Sequence, residues 1–136
     1  MPVMRIWIAR LCIGLVTAWN FQAAVIFIFS PSRFVGAYEL SGTAGEAAVR
    51  GVGVLFLMWN IPYLLALYHP IRYRLALTLS LLMQFVGLIG ESYILSTIPV
   101  EHVILRSSIL RFIAFDGAGL LFLVTAYFLT RENSYS

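Results

Sequence analysis

Four ionisable side chains, Arg50, Glu91, Arg111 and Asp116, interrupt long apolar runs of this chain, and two amides, Asn20 and Gln22, interrupt another. An ionisable group placed in hydrocarbon costs about 2.5 to 3.5 kcal/mol on insertion scales, so each calls for a partner and a reason. Two arginines balance two carboxylates, and a buried charge left single costs far more than one that is paired and hydrogen-bonded. The set is therefore expected to gather into one inward-facing polar cluster, with Glu91 bridging to Arg111, Arg50 or both. Arg111 and Asp116 are five apart, about 140° round a helix, so they do not simply pair with each other. Asp116 calls for Asn20 or a water instead. Such a cluster either fixes helix register and orientation or lines a small polar cavity for a headgroup, a quinone or a small solute. A proton relay through Glu91 and Asp116 would find no titratable chain continuing to the other face.

Other chemistries lack their residues. Bis-histidine haem needs two imidazoles at one depth, but His69 and His102 fall at opposite ends of their runs, and the same two make no zinc site. There is no phosphate-binding glycine loop, and no serine, histidine and aspartate spaced for a nucleophilic triad. Cys12 is the single cysteine and reads as a small packing residue. The net charge of +3 arises from nine arginines against six acids, a sparsity of acids rather than a basic patch, so nucleic acid is not implied. No cofactor is expected.

The elements that must position the polar set follow from composition. Hydrophobic residues make up 61% of the 136 residues and charged ones 11%, a balance suited to lipid as solvent. A bilayer core of about 30 Å needs roughly 20 apolar residues in a helix, and four runs of that length occur, at about 6–29, 44–68, 75–98 and 102–129. The first is too long for the apolar region of a secretory signal, and with the sequence opening at Met1 it is expected to be retained. The fold expected is a single all-α domain, an integral membrane four-helix bundle running up, down, up, down. Arg5, Arg10, Arg72, Arg74 and Arg131 flank one side against Arg33, Arg50 and Arg106 on the other, so both termini are expected in the cytoplasm, with a bacterial inner membrane as the setting.

Counted inward at about 1.5 Å per residue, Arg50, Glu91, Arg111, Asn20 and Gln22 lie roughly 9 to 15 Å from the outer ends and Asp116 roughly 20 Å. All six fall in the outer half, which leaves the inner half to apolar packing. The connection at 30–45 is too apolar for a free linker and is expected as an interfacial segment with Phe34 and Tyr38 at headgroup level. Trp7, Trp59, Tyr63, Tyr68, Tyr73 and Tyr127 read as interface anchors. Gly14 with Ala18, and Ala114 with Ala118, are small pairs suited to helix packing. Pro62 frees a carbonyl near Met58, which Asn60 is expected to satisfy.

Glu46-Ala47-Ala48-Val49-Arg50-Gly51-Val52-Gly53 opening the second run, and Gly87-Leu88-Ile89-Gly90-Glu91 late in the third, resemble motifs of the small four-helix DoxX-like membrane proteins. Glu91 stands where many of those relatives carry a basic residue. The resemblance implies four helices and, for some members, a link to quinone-coupled sulfur oxidation. With no catalytic constellation in view, the function expected first is a non-catalytic accessory or stabilising subunit, beside neighbouring membrane subunits, of a larger complex such as a respiratory or photosynthetic one. The alternative is a DoxX-like protein binding a quinone, a lipid headgroup or a small solute at the outer polar cluster.

Overall fold

A computed structural model describes residues 2–131; the polar tail after Arg131 lies outside the described residues. The chain is all-helical there: α1 (Pro2–Phe29), α2 (Gly42–Tyr68), α3 (Arg74–Thr97) and α4 (Val103–Leu129), with two short 3-10 turns, Pro31–Arg33 and Gly36–Tyr38, between α1 and α2. All four helices are long and apolar enough to cross a membrane. With 24 to 28 residues each, they span about 36 to 42 Å. Proline sets the stops. His69 precedes Pro70 and Ile98 precedes Pro99, and both take extended backbone, because the proline ring disfavours helix in the residue before it.

The helices form a ring in chain order: α1 packs most closely on α2 and α3 on α4, with α1 against α4 and α2 against α3 closing it. At the end holding the α2–α3 hinge the core is aliphatic. Ile13 and Val16 of α1, Ala66 of α2, Leu77 of α3 and Leu123 of α4 are buried around Tyr63, with Cys12 buried among them. Two arginines bind backbone carbonyls at helix C-termini there, where the dipole and the unpaired C=O groups favour a cation. Arg10 Nε donates to the Leu67 carbonyl at 3.1 Å, and Arg74 donates to the Thr130 carbonyl at 2.8 Å while lying over the Tyr127 ring. This end of the bundle is thus less purely apolar than the sequence implies.

Side chains on the lipid-facing surface, among them Leu75, Val86, Tyr93 and Leu121, are large, apolar and exposed, as suits a bilayer. Trp7 and Tyr68 are exposed near helix ends, but two of the expected anchors are not anchors. Tyr63 is wholly buried, and Trp59 is half-buried with its indole N–H unpartnered among the described residues. Of the small pairs, Gly14 faces Leu67 but Ala18 and Ala114 are exposed. Asn60 is buried, and among the described residues neither of its amide atoms is hydrogen-bonded, so it does not satisfy the carbonyl that Pro62 frees.

Candidate functional site

The opposite end of the bundle is built around Phe27. Its ring lies 4.6 Å from that of Phe34 and about 6 Å from those of Tyr38, Phe56 and Phe112, spacings at which aromatic pairs attract. The Tyr38 and Phe112 rings are 6.2 Å apart, and those of Phe56 and Phe112 are 5.9 Å apart. Phe34 and Tyr38 are half-buried against this cluster. The α1–α2 connection therefore folds back over the helix ends, with its aromatic residues stacked on Phe27. Gly53 permits the approach of α1 to α2: a Cβ there would come within 2.9 Å of both Phe27 and Ile28.

The connection is fastened to α4 at two points. Ser108 Oγ donates to the Ala37 carbonyl at 2.7 Å, and the His102 imidazole and the Glu39 carboxylate share a hydrogen bond. Glu39 takes left-handed backbone, φ 54°. The pairing with His102 lowers the Glu39 carboxyl below its ordinary 4.5, and Glu39 raises the imidazole above its ordinary 6.5. A lowered carboxylate contributes above its ordinary value and is lost as pH falls through the lowered one. A raised imidazole contributes below its ordinary value and is lost as pH rises through the raised one. The fastening is therefore expected to be firmest between pH 4.5 and 6.5, modest because both groups are exposed, and weaker in high salt. Hydrogen exchange over residues 36–40, corrected for intrinsic rates, should be slowest in that window. Glu39→Gln should flatten the profile, and a profile shared by both proteins would contradict the fastening.

Two cavities flank the aromatic wall. The larger, about 300 Å³, lies between α1, α4 and the connection; its polar lining is Asn20, Gln22, Ser108, Arg111 and Asp116, set among Trp19, Phe115 and the wall. Four of the six polar residues picked out in the sequence thus meet here. The smaller, about 160 Å³, lies toward α2 and holds Glu91 among Phe27, Tyr38, Phe56, Phe112 and aliphatic side chains. Tyr38 stands between the two. Burial first, and then the nearby Glu91 carboxylate, push its phenol well above the ordinary value against the pull of Arg111, so the hydroxyl stays a neutral hydrogen-bond donor.

The single expected cluster is in fact divided. Arg50 is exposed, 3.5 Å from Glu46 one turn earlier, and donates to the Ile28 carbonyl. A local carboxylate and a loose carbonyl at the end of α1 lie within its reach, so it has no need to turn inward. Among the described residues Glu91 pairs with neither Arg50 nor Arg111, and its Oε2 is buried without a partner. Asp116 takes Gln84 as its partner rather than Asn20: Gln84 Nε2 donates to Asp116 Oδ1 at 3.2 Å, and Tyr63 donates to Gln84 Oε1 at 2.6 Å. Two glycines make this possible. Gln84 of α3 lies over Gly119 of α4, while Asp116 of α4 lies over Gly87 of α3, each long polar side chain filling the space opposite a missing Cβ. The spacing of Gln84 and Gly87 marks this face in the sequence, but Tyr63 carries no such mark.

Arg111 is left uncommitted. It lines the larger cavity and is exposed, and among the described residues its guanidinium has neither a hydrogen-bond nor an ion-pair partner. No protein-family model, curated protein or solved structure matches the chain.

Proposed function

We propose that this chain is an up-down-up-down protein of the bacterial inner membrane, both termini cytoplasmic, that holds the polar head of a membrane amphiphile in its outer-half cavity. The arginine bias at the termini and the α2–α3 hinge supports the orientation. The uncommitted Arg111 guanidinium on an aromatic-walled cavity carries the binding reading. A guanidinium in a spanning helix is costly unless it meets oxygen acceptors, and no acceptor of the protein's own meets this one among the described residues. A quinone carbonyl or an acidic headgroup oxygen supplies such an acceptor, with Asn20, Gln22 and Ser108 as further hydrogen-bonding groups and Trp19, Phe112 and Phe115 as surfaces for a ring. At about 300 Å³ the space is at the lower limit for ligand sites, which suits a head rather than a whole lipid. Kinship with the DoxX-like proteins, resting on residues 46–53 and 87–91, belongs to the same proposal.

Trp19 reports on the cavity directly. With Trp7 and Trp59 replaced by phenylalanine, a short-chain benzoquinone is expected to quench Trp19 saturably. Arg111→Gln should raise the half-quenching concentration about tenfold, since a hydrogen bond to a charged group contributes about 1.5 to 3 kcal/mol. Unsaturable quenching, or equal curves, would remove the reading.

A second reading, a non-catalytic subunit of a larger membrane assembly, draws on α2. Thr43, Ala47 and Gly51 are exposed at four-residue spacing, and nothing lies within 4 Å of where a Cβ on Gly51 would project. Such a stripe lets a neighbouring helix approach closely.

A further inference from the structure

The smaller cavity poses a different chemical problem from the larger one. Glu91 Oε2 is buried there and has no hydrogen-bond partner among the described residues. A buried carboxylate oxygen without a donor or a counter-charge is expensive. The nearby cations do not supply one: Arg50 is engaged with Glu46, and Arg111 opens into the other cavity with no ion pair to Glu91. The remaining lining supplies no cation, and its one donor, the Tyr38 hydroxyl, makes no hydrogen bond to Glu91 Oε2 among the described residues. Phe27, Tyr38, Phe56 and Phe112 contribute rings, and Leu40, Ala48, Val49, Val52 and Ile109 contribute aliphatic surface.

We propose that this niche receives an alkylated ammonium group, with Glu91 as its counter-charge and the aromatic rings as its walls. Ring π-systems attract a cation, and they favour one whose charge is spread over methyl groups because it gives up little hydration on entry. A metal ion would need several oxygen ligands, and no group of three acidic, histidine or cysteine side chains able to hold one occurs among the described residues. The size agrees as well. A volume of about 160 Å³ corresponds to about five water-sized particles, and a trimethylammonium with its attached carbon is a group of that size. The ligand's source is either a soluble quaternary amine or a choline lipid head. The proposal concerns a different cavity from the amphiphile site and holds whether or not that one is occupied.

Choline is the probe, and 3,3-dimethylbutan-1-ol is its uncharged counterpart of the same shape. Saturation-transfer NMR on the full chain in nonionic detergent is expected to show transfer to the choline methyls. The neutral analogue should bind at least about tenfold more weakly. Glu91→Gln, which keeps the shape, should lose about as much, and Phe56→Leu, which keeps the charge, should weaken choline several-fold. Equal binding of choline and its neutral analogue, or of wild type and Glu91→Gln, overturns the proposal. Were Glu91→Gln to misfold, the Phe56→Leu and neutral-analogue arms decide alone. In nanodiscs, suppression of the choline signal by phosphatidylcholine relative to phosphatidylglycerol assigns a lipid head, and persistence assigns a soluble amine; either supports the niche. Trp19 quenching on the same samples separates failures. Quenching without a choline signal overturns the niche alone, and a choline signal without quenching overturns the amphiphile site alone.

Discussion

Gly53→Leu is expected to prevent the bundle from forming, and Gly53→Ala to destabilise it by about 1 to 3 kcal/mol, the usual cost of overpacking a tight interface. A Cβ at this position meets the Phe27 Cβ and Ile28 Cγ1 at 2.9 Å and the Ala24 carbonyl oxygen at 3.0 Å. Two of those atoms, the backbone oxygen and the Cβ of a buried ring, cannot move without α1 moving. The displacement would reach both cavities, because Phe27 is the ring on which Phe34, Tyr38, Phe56 and Phe112 converge. Reversible unfolding in mixed micelles, followed by circular dichroism, measures the effect. Gly51→Ala on the same helix, where a Cβ meets nothing within 4 Å, should change stability little. Similar losses at the two positions would mean that α1 and α2 do not approach as described.

Gln84→Leu has the second largest expected effect. Among the described residues the Gln84 amide is the one side chain joining Tyr63 to Asp116, accepting from one and donating to the other. Leucine is close in volume and keeps the space over Gly119 filled, so the loss is chiefly polar. It strands the Asp116 carboxylate and, among the described residues, leaves the buried Tyr63 hydroxyl the longer contact to the Ser80 carbonyl at 3.2 Å. An unsatisfied buried group costs about 1 to 3 kcal/mol. Interhelical hydrogen bonds within membranes average nearer 0.6 kcal/mol when only the bond is lost, so a result above about 1.5 kcal/mol would reflect the stranded carboxylate. A double-mutant cycle with Tyr63→Phe tests the network itself. Once Gln84 is gone, removing the hydroxyl should cost much less than it does in the wild type, and strict additivity would show that the two side chains act separately.

How much of this was legible in the sequence depended on the range of the interaction. Helix existence follows from local apolar runs bounded by proline, and the four helices long and apolar enough to span a membrane are those the sequence indicates. The polar residues of α1 and α4 were also legible as a set: Asn20, Gln22, Arg111 and Asp116, which the sequence places in one half of the bundle, share a cavity. Depth, however, says nothing about direction around a helix. Arg50 and Glu91 come out at nearly the same depth as Arg111, yet one faces outward to Glu46 and the other occupies a separate niche. Charge balance suggested a pairing, but local partners one turn away were cheaper for Arg50. The Gln84–Asp116 bond depends on two glycines across the α3–α4 interface, a register no single helix encodes. The inward fold of the α1–α2 connection depends likewise on Phe27, which reads in isolation as one more apolar residue of α1.

On the function proposed above, the cavity beside Arg111 holds the head of a membrane amphiphile. Native mass spectrometry of the full chain, released from its own membranes in mild detergent, tests it most directly. The expected spectrum shows one small-molecule adduct per chain, with an acidic or quinonoid head on extraction, strongly depleted in Arg111→Gln protein of unchanged helical content. A bare chain, or an adduct retained equally by wild type and Arg111→Gln, would contradict the claim.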